Sequence, residues 1–262
     1  MIRVAHLSDI HFGGENVAAV EAAVERLAGE PLDAVIVSGD LTQFAEKPEF
    51  AAAAAWLARL PAPVLSIPGN HDAPYLAWVE RFFAPFARYE AAIGGIDGQT
   101  LLAPGLAIFG INTARGVQPR ANWSKGQISR RQVDAACAWF ERAPADAIRL
   151  LVCHHPLMEM LGGPMTGRVW GGHDAARRFA EAGVDLILTG HIHAPFAWTY
   201  PFADGHTHGV GAGTLSVRER GAPAGFNLIE ADETGMRIQA LAFERTAFQP
   251  FRTWSLERRD RG

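Results

Sequence analysis

Short apolar runs rich in Val, Ile and Leu alternate with helical patterns along the first two-thirds of the chain. Such runs, interleaved with helices, are typical of a mostly parallel sheet that is covered on both faces. The predicted strands span residues 2–8, 33–39, 62–68, 106–112, 147–153 and 184–190. The predicted helices span residues 16–28, 48–60, 75–90, 129–142 and 173–182. The alternation therefore predicts an α/β fold.

The pattern changes after residue 194. Alternating segments with aromatic residues follow, with Gly-bearing turns between some of them, and these predict antiparallel strands. No internal repeat, low-complexity segment or linker divides the sequence. With 262 residues the chain is long enough for a large core. We therefore predict one domain over residues 1–262, with the antiparallel strands in 194–262.

Polar side chains follow nearly every predicted parallel strand. They are Asp9, His11, Asp40, Asn70, His71, His154, His155, His191 and His193. In open α/β sheets, ligands bind outside the carboxyl ends of the strands, so these groups can converge on one crevice. Asp9 and His11 are spaced i, i+2, as are His191 and His193. In extended backbone this spacing directs both side chains to one face.

A single histidine at a strand end is structural or merely exposed in about four cases out of five. The joint pattern is harder to explain in this way, because the residues that turns favour do not include histidine. Several separate strands would each need an unrelated reason to be followed by Asp, Asn or His. The set as a whole indicates a metal site.

The ligand types narrow the choice of metal. Oxygen and imidazole ligands without thiolates suit ions such as Mn, Fe, Zn or Co. The two cysteines, Cys137 and Cys153, are far apart in sequence and are predicted to be small buried hydrophobic residues. Seven of these side chains are the candidate ligands: Asp9, His11, Asp40, Asn70, His154, His191 and His193. Seven ligands are too many for one ion but suit two ions that share a bridging carboxylate. Two metals about 3.5–4 Å apart are the usual arrangement for in-line displacement at phosphorus.

The ordered motifs resemble those of the calcineurin-like metallophosphoesterases. They are Asp9-Ile10-His11, Gly39-Asp40, Gly69-Asn70-His71-Asp72, His154 and Gly190-His191-Ile192-His193. Within that superfamily, the strings HLSDIHF and CHHPL are similar to small bacterial class III cyclic-nucleotide phosphodiesterases and glycerophosphodiesterases. The resemblance implies a four-layer α/β/β/α sandwich. It covers residues 5 to 193, the motif-bearing part of the chain.

The resemblance also implies a role for each motif residue. Asp9, His11 and His193 would bind one metal, Asn70, His154 and His191 the other, and Asp40 would bridge them. His155 would then be structural or support a ligand.

The implied activity is hydrolysis of a small phosphodiester: a cyclic nucleotide, a glycerophosphodiester or a phospholipid head group. A metal-bridging hydroxide would attack phosphorus in line with the leaving group, which His71 would protonate. Asp72 would orient His71 and also form the N-cap of the helix predicted over 75–90. Asn70 and His71 would also contact the substrate. The alternatives are a metal-binding scaffold without activity, a phosphomonoesterase and a nuclease.

Two long loops leave sheet strands on the side where the metals are predicted. They span residues 113–127 and 156–173, and either could set substrate specificity. Arg115 lies at the start of the first loop, close enough in sequence to reach a phosphate. We therefore predict that Arg115 binds the substrate phosphate; the alternative is that it is only solvated, as most Arg side chains in surface loops are.

The composition excludes some functions. A net charge of −4 gives no support for binding a nucleic-acid polymer. No apolar run approaches the roughly 18 residues that an integral membrane segment needs. No secretory signal is visible at the start of the sequence, so we expect a cytoplasmic protein. The sequence is also compatible with a homo-oligomer.

Overall fold

The described residues of the computed structural model, 1–159 and 169–259, contain twelve strands arranged in two six-stranded sheets. The first sheet consists of β1 (Ile2–Leu7), β2 (Ala34–Val37), β3 (Val64–Ser66), β10 (Gly225–Ala231), β11 (Met236–Glu244) and β12 (Ala247–Leu256). The second consists of β4 (Gln99–Ala103), β5 (Leu106–Ile111), β6 (Ile148–Cys153), β7 (Leu186–Thr189), β8 (Phe196–Thr199) and β9 (His208–Gly211).

Six helices lie in the same described ranges. They are α1 (Val17–Ala28), α2 (Lys47–Leu57), α3 (Trp78–Phe83), α4 (Ala87–Ala92), α5 (Arg130–Phe140) and α6 (Gly172–Glu181). Local signals set some of their starts. The Asn16 side chain accepts a hydrogen bond from the Ala19 N–H and caps α1, and Ser129 and Gln132 form a capping box at the start of α5.

All six strands predicted in the first two-thirds of the chain are present, but they are divided between two sheets. The order is β12-β11-β10-β1-β2-β3 in one and β4-β5-β6-β7-β9-β8 in the other. β1, β2 and β3 are parallel, as are β5, β6, β7 and β9. The prediction of antiparallel strands after residue 194 is confirmed for β8, β10, β11 and β12. It is only partly right for β9, which pairs antiparallel with β8 but parallel with β7. An apolar run does not reveal which sheet it joins.

The apolar side chains form three clusters between four layers. The central cluster lies between the two sheets and includes Ile36 and Leu65 from the first sheet and Ile108 and Leu150 from the second. A second cluster packs α1 and α2 against the outer face of the first sheet, and a third packs α5 and α6 against the second. The structure thus has the predicted α/β/β/α order.

The single helix predicted over 75–90 is wrong. The chain forms two six-residue helices there, α3 and α4, with Pro85 between them. Proline has no N–H to donate and disfavours helical backbone at the residue before it. Ala84 accordingly has a φ of −147°, outside the helical range.

β1 is held on both sides by strands distant in sequence. It pairs in parallel with β2 and antiparallel with β10, in a register that sets Ala5 opposite Leu228. Beyond the end of β1, the Thr214 hydroxyl donates a 2.6 Å hydrogen bond to the Asp9 carbonyl. Residues from the last fifth of the chain therefore position the loop that follows β1.

Candidate metal centre

The predicted ligands meet where the carboxyl ends of the two sheets lie side by side. Loops after β1, β2 and β3 bring residues from the first sheet, and loops after β6 and β7 bring residues from the second. Close approaches between ligand atoms connect all seven side chains, which are Asp9, His11, Asp40, Asn70, His154, His191 and His193. The sequence reasoning therefore identified a set that the fold does bring together.

Five of the seven residues have left-handed backbone. The φ angles are 53° at Asp9, 54° at His11, 52° at Asp40, 69° at His191 and 64° at His193. This conformation costs a non-glycine residue about 1–2 kcal/mol, and such strain is concentrated at functional sites. The expectation that extended backbone aligns each i, i+2 pair is therefore wrong. The turns that follow β1 and β7 aim the side chains instead.

Two glycines allow the loops to approach closely. A Cβ at Gly69 would lie 2.2 Å from Asp40 Oδ1, and one at Gly190 would lie 1.8 Å from Ser8 Oγ. Neither distance is compatible with a side chain. The glycines of the Gly-Asn-His and Gly-His-x-His motifs thus make room for the residues beside them.

One group of ligand atoms comes from Asp9, His11 and His193. His193 Nε2 lies 3.1 Å from Asp9 Oδ1 and 3.2 Å from His11 Nε2. All three side chains are buried, and Asp9 Oδ1 has no hydrogen-bond partner among the described residues. A buried carboxylate oxygen without a donor is costly unless a cation or another donor satisfies it.

A second group surrounds His154. His154 Nε2 lies 3.2 Å from Asn70 Oδ1 and 3.2 Å from Asp40 Oδ2. His191 lies beside it, with ring centroids 5.3 Å apart. Asp40 Oδ2 is also 3.9 Å from His11 Nε2 in the first group, so this carboxylate lies between the two groups.

Backbone carbonyls fix the tautomers of three of these imidazoles. His11 Nδ1 donates to Thr42 O at 3.3 Å, His154 Nδ1 to Ser38 O at 2.8 Å, and His193 Nδ1 to Arg218 O at 2.8 Å. A proton held on Nδ1 leaves the Nε2 lone pair free. This is the arrangement that metal-binding histidines adopt in proteins.

The protonation states also suit cations. Burial raises the pKa of Asp9, but the adjacent His193 lowers it by a larger amount, so the net shift is downward. The pKa of Asp40 is lowered in the same way by the adjacent His154. Burial lowers the pKa of His11 to about 4 and that of His191 to about 3. Near pH 7 these carboxylates are ionised and these imidazoles are neutral, as ligands must be.

His154 and His193 depart from this pattern. Burial lowers the pKa of His154, but the adjacent Asp40 carboxylate raises it by more, to about 9. Burial also lowers the pKa of His193, and the adjacent Asp9 carboxylate raises it by more, so the net shift is upward. Binding of cations at these two positions therefore has to displace protons. The donor set, the orphaned Asp9 oxygen and the free Nε2 atoms together fit a two-cation centre.

Comparison with known proteins places the chain in a family. A profile of the calcineurin-like phosphoesterases matches residues 2–195, which is more than half of the sequence. The chain belongs to the calcineurin-like phosphoesterase family. No curated protein matches the sequence.

Solved structures of similar fold include a dimetal phosphatase and a purple acid phosphatase. A dimetal phosphatase from Danio rerio matches with a TM-score of 0.71 and 11% identity over 98% of both chains. A purple acid phosphatase from yellow lupin, Lupinus luteus, matches with a TM-score of 0.70 and 12% identity over 98% of this chain and 54% of that one. A Vps29 variant from Entamoeba histolytica matches with a TM-score of 0.52 and 13% identity over 98% and 100%.

At these identities the likeness concerns the fold. The calcineurin-like fold family holds a dinuclear metal centre, and His and Asp clusters that could form one are present here. Within the described residues, no helix is both long and apolar enough to cross a membrane.

His71 lies at the rim of the candidate metal centre and is partly exposed. Its Nδ1 donates to Gln43 O at 2.8 Å, and its own N–H donates to Asp40 Oδ1 at 2.8 Å. Nε2 is therefore the nitrogen left for chemistry. The His71 ring lies 4.7 Å from that of His11, and its ligand atom is also within 4.8 Å of those of His11 and Asp40.

Asp72 does not have the contacts predicted for it. Its buried carboxylate accepts hydrogen bonds from Gly69 N at 2.8 Å, Leu41 N at 3.2 Å, and Thr42 N and Oγ1 at 2.9 Å each. The group that holds the His71 ring is Gln43 O instead, and the N-cap of α3 is Ala77. Asp72 thus joins the loops after β2 and β3, contacts that span 30 residues and leave no local sequence signal.

Arg115 is also not placed as predicted. Its guanidinium donates to Asn112 O at 2.9 Å, Ala114 O at 2.7 Å and Gln132 Oε1 at 3.1 Å, so it braces its own loop against α5. The cation beside His71 is Arg218, whose Nη1 lies 3.5 Å from His71 Nε2. Arg218 lies in an irregular segment outside every motif, so no sequence signal points to it.

The contacts of His155 suit a structural residue, one of its two predicted roles. Its Nδ1 accepts from the Thr113 hydroxyl at 2.8 Å and its Nε2 donates to Ser124 O at 2.7 Å. Burial keeps the pKa of this imidazole well below its usual value. With both nitrogens engaged, His155 anchors the loop 113–127 beside the centre.

Of the two predicted specificity loops, only 113–127 lies entirely within the described residues. Residues of the loop 113–127, including Trp123 and Ser124, line a cavity of about 380 Å³ that also borders Asn70. In the loop 156–173, residues 160–168 lie outside the described residues. The first loop therefore reaches the centre, and the prediction for the second is not tested.

Proposed function

We propose that the chain is a two-metal hydrolase of small phosphodiesters. The observation that carries this proposal is the position of Asp40, whose Oδ2 lies 3.2 Å from His154 Nε2 and 3.9 Å from His11 Nε2. A carboxylate between two groups of lone-pair donors supports a bridging role. Asp9, His11 and His193 would hold one cation, and Asn70, His154 and His191 the other.

Two bound cations would supply Lewis acidity and an activated water for attack at phosphorus. The chain supplies the rest. Gln43 O accepts the Nδ1–H of His71, so Nε2 faces the rim; in the imidazolium form Nε2 also carries a proton, which it can give to the leaving alkoxide while Nδ1 keeps its own. Arg218 lies next to it and adds positive charge on the side where a substrate anion enters.

The preference for diesters rests on the sequence resemblance and is supported by the cavity beside Asn70. About 380 Å³ of space is enough for an organic group attached to the phosphate.

Manganese, iron, zinc and cobalt all suit the donor set. Cys137 and Cys153 are both free and buried, in keeping with a reducing cytoplasm. β10 to β12 complete the sheet that contains β1, which supports one domain over 1–262.

The test is a steady-state assay of protein loaded with Mn²⁺. Substrates are cyclic AMP, bis-p-nitrophenyl phosphate and glycerophosphocholine, with the monoester p-nitrophenyl phosphate for comparison. We expect kcat/KM for a diester to exceed that for the monoester. A higher value for the monoester would make the protein a phosphomonoesterase. Two bound metals per chain without turnover of any ester would make it a scaffold.

A further inference from the structure

Helix α3 is inverted relative to an ordinary surface helix. Its apolar side chains face outward, with Trp78 60%, Val79 75%, Phe82 61% and Phe83 79% exposed. Its one buried residue is Arg81, a charged residue. Large apolar side chains are usually exposed singly, and a cluster of this kind marks a binding surface.

Arg81 holds α3 in this orientation. Its guanidinium donates to Gly116 O at 2.7 Å and to Ala73 O and Pro74 O at 3.0 Å each. These bonds connect the segment before α3 to the loop 113–127. The exposure of the apolar face is therefore built into the fold.

The exposed face lines a groove of about 610 Å³. Val79, Phe82 and Phe83 form one side, and Val117 and Pro119 of the loop 113–127 form the other. Trp78 and Trp123 line both this groove and the cavity beside Asn70, with their ring centroids 5.6 Å apart. The groove therefore begins where the cavity next to the candidate metal centre ends.

We propose that this groove binds the aliphatic chain of the substrate, a phosphodiester of a long-chain alcohol or a lipid. This inference rests on the proposed function, because it places the phosphate at the metal centre. The cavity beside Asn70 takes the atoms next to the phosphate. The chain then crosses the two indole rings and lies along α3, where it removes both its own surface and that of Phe82 and Phe83 from water.

The lining favours a chain over other occupants. A nucleobase needs hydrogen-bond partners for its edges, whereas most of the groove wall consists of aliphatic and phenyl side chains. A second protein chain would use about 20–30 residues on each side in a stable interface. The groove is lined by eight residues. The direct continuity with the candidate metal centre also suits a group that is part of the substrate.

The experiment uses Mn²⁺-loaded protein and p-nitrophenyl phosphodiesters of methanol, butanol and octanol. Burial of a methylene group predicts a rise in kcat/KM of about two- to fourfold per carbon. In Phe82→Ser this dependence on chain length becomes flatter. The matched control is Leu102→Ser, since Leu102 is also 61% exposed but lies on β4 outside the groove. It keeps the full dependence.

Three results would overturn the inference: equal kcat/KM for all chain lengths, a higher value for the p-nitrophenyl ester of thymidine 5′-phosphate than for the octyl ester, or a dimer that Phe82→Ser converts to monomers. The last would assign the groove to a second copy of the chain.

A binding measurement separates this inference from the proposed function. Calorimetry of the Mn²⁺-loaded protein with methylphosphonate and octylphosphonate needs no turnover. Tighter binding of octylphosphonate that is lost in Phe82→Ser supports the groove even if no diester is hydrolysed. Turnover of short diesters with equal affinity for both phosphonates supports the enzyme and refutes the groove.

Discussion

The metal centre and the α3 groove lie side by side and depart from ordinary burial in opposite ways. At the centre, carboxylates and imidazoles such as Asp9 and His11 are completely buried. At the groove, Phe82 and Phe83 are mostly exposed, while Arg81 of the same helix is buried. Both arrangements are unfavourable for a free protein, and each becomes favourable when the right ligand arrives. From this contrast we infer that bound cations stabilise the candidate metal centre, whereas a bound apolar group stabilises the α3 groove.

The largest expected effect is at Asp40, the proposed bridging carboxylate. Asp40→Ala removes the group between the two sets of ligand atoms and should lower kcat/KM by on the order of 10³-fold or more, about 4 kcal/mol in the barrier. Metal analysis of the purified variant should give fewer than two ions per chain. Two retained ions would contradict a bridging role for Asp40.

His71 should matter to the reaction but not to metal binding. His71→Ala is expected to lower kcat by about 10²–10⁴-fold, the usual size of a general acid's contribution, while two metals stay bound. Loss of metal together with activity would make His71 a ligand, because its ligand atom is within 4.8 Å of those of His11 and Asp40. Substrates with a p-nitrophenolate leaving group, which needs little protonation, should be affected least.

On the groove side, Arg81 should matter to stability. Arg81→Met leaves three backbone carbonyls without a charged donor, which should lower the free energy of unfolding by about 2–4 kcal/mol. Thermal denaturation of the metal-loaded protein measures this as a decrease in Tm of roughly 5–10 °C. Arg237→Met, at an exposed position on β11, is the matched control and should leave Tm nearly unchanged. An unchanged Tm in Arg81→Met would mean that the groove wall does not depend on this residue.

The smallest effects are expected at Arg218, beside His71, and at Arg115, which braces the loop 113–127. Arg218→Ala should raise KM about two- to fivefold, the range expected for an exposed charge. Arg115→Ala should lower Tm and leave KM unchanged, because the hydrogen bonds of its guanidinium go to Asn112 O, Ala114 O and Gln132 Oε1. A raised KM in Arg115→Ala together with an unchanged KM in Arg218→Ala would instead make Arg115 the substrate-binding residue, as the sequence predicted.

The candidate site could be predicted from the sequence because its residues directly follow parallel strands. Those strands are apolar and easily recognised, and their carboxyl ends must meet at one edge. What the sequence could not provide are contacts without a local pattern. Asp72 bonds to Leu41 and Thr42, and His71 is held by a backbone carbonyl of Gln43. The left-handed turns at Asp9 and His11 also carry no compositional signal.

The fold shows the same division. The α/β order and four of the six helices, α1, α2, α5 and α6, follow from periodicity, but the assignment of strands to two sheets does not. Pro85, inside the helix predicted over 75–90, is a helix-breaking residue that the helical periodicity does not take into account. The outward face of α3 could not be predicted, because periodicity identifies an apolar face without telling whether the core or a ligand covers it.

The pairing of β1 with β10 has a consequence for how the protein is made. Every motif residue has been synthesised once residue 193 is added, yet the loop that bears Asp9 is fastened by Thr214, and β1 has no partner on one side until β10 is made. During synthesis the nascent chain therefore holds its metal-binding side chains before it can arrange them. Cations should load onto the finished protein, and a truncated product ending near residue 195 should expose the edge of β1 and aggregate.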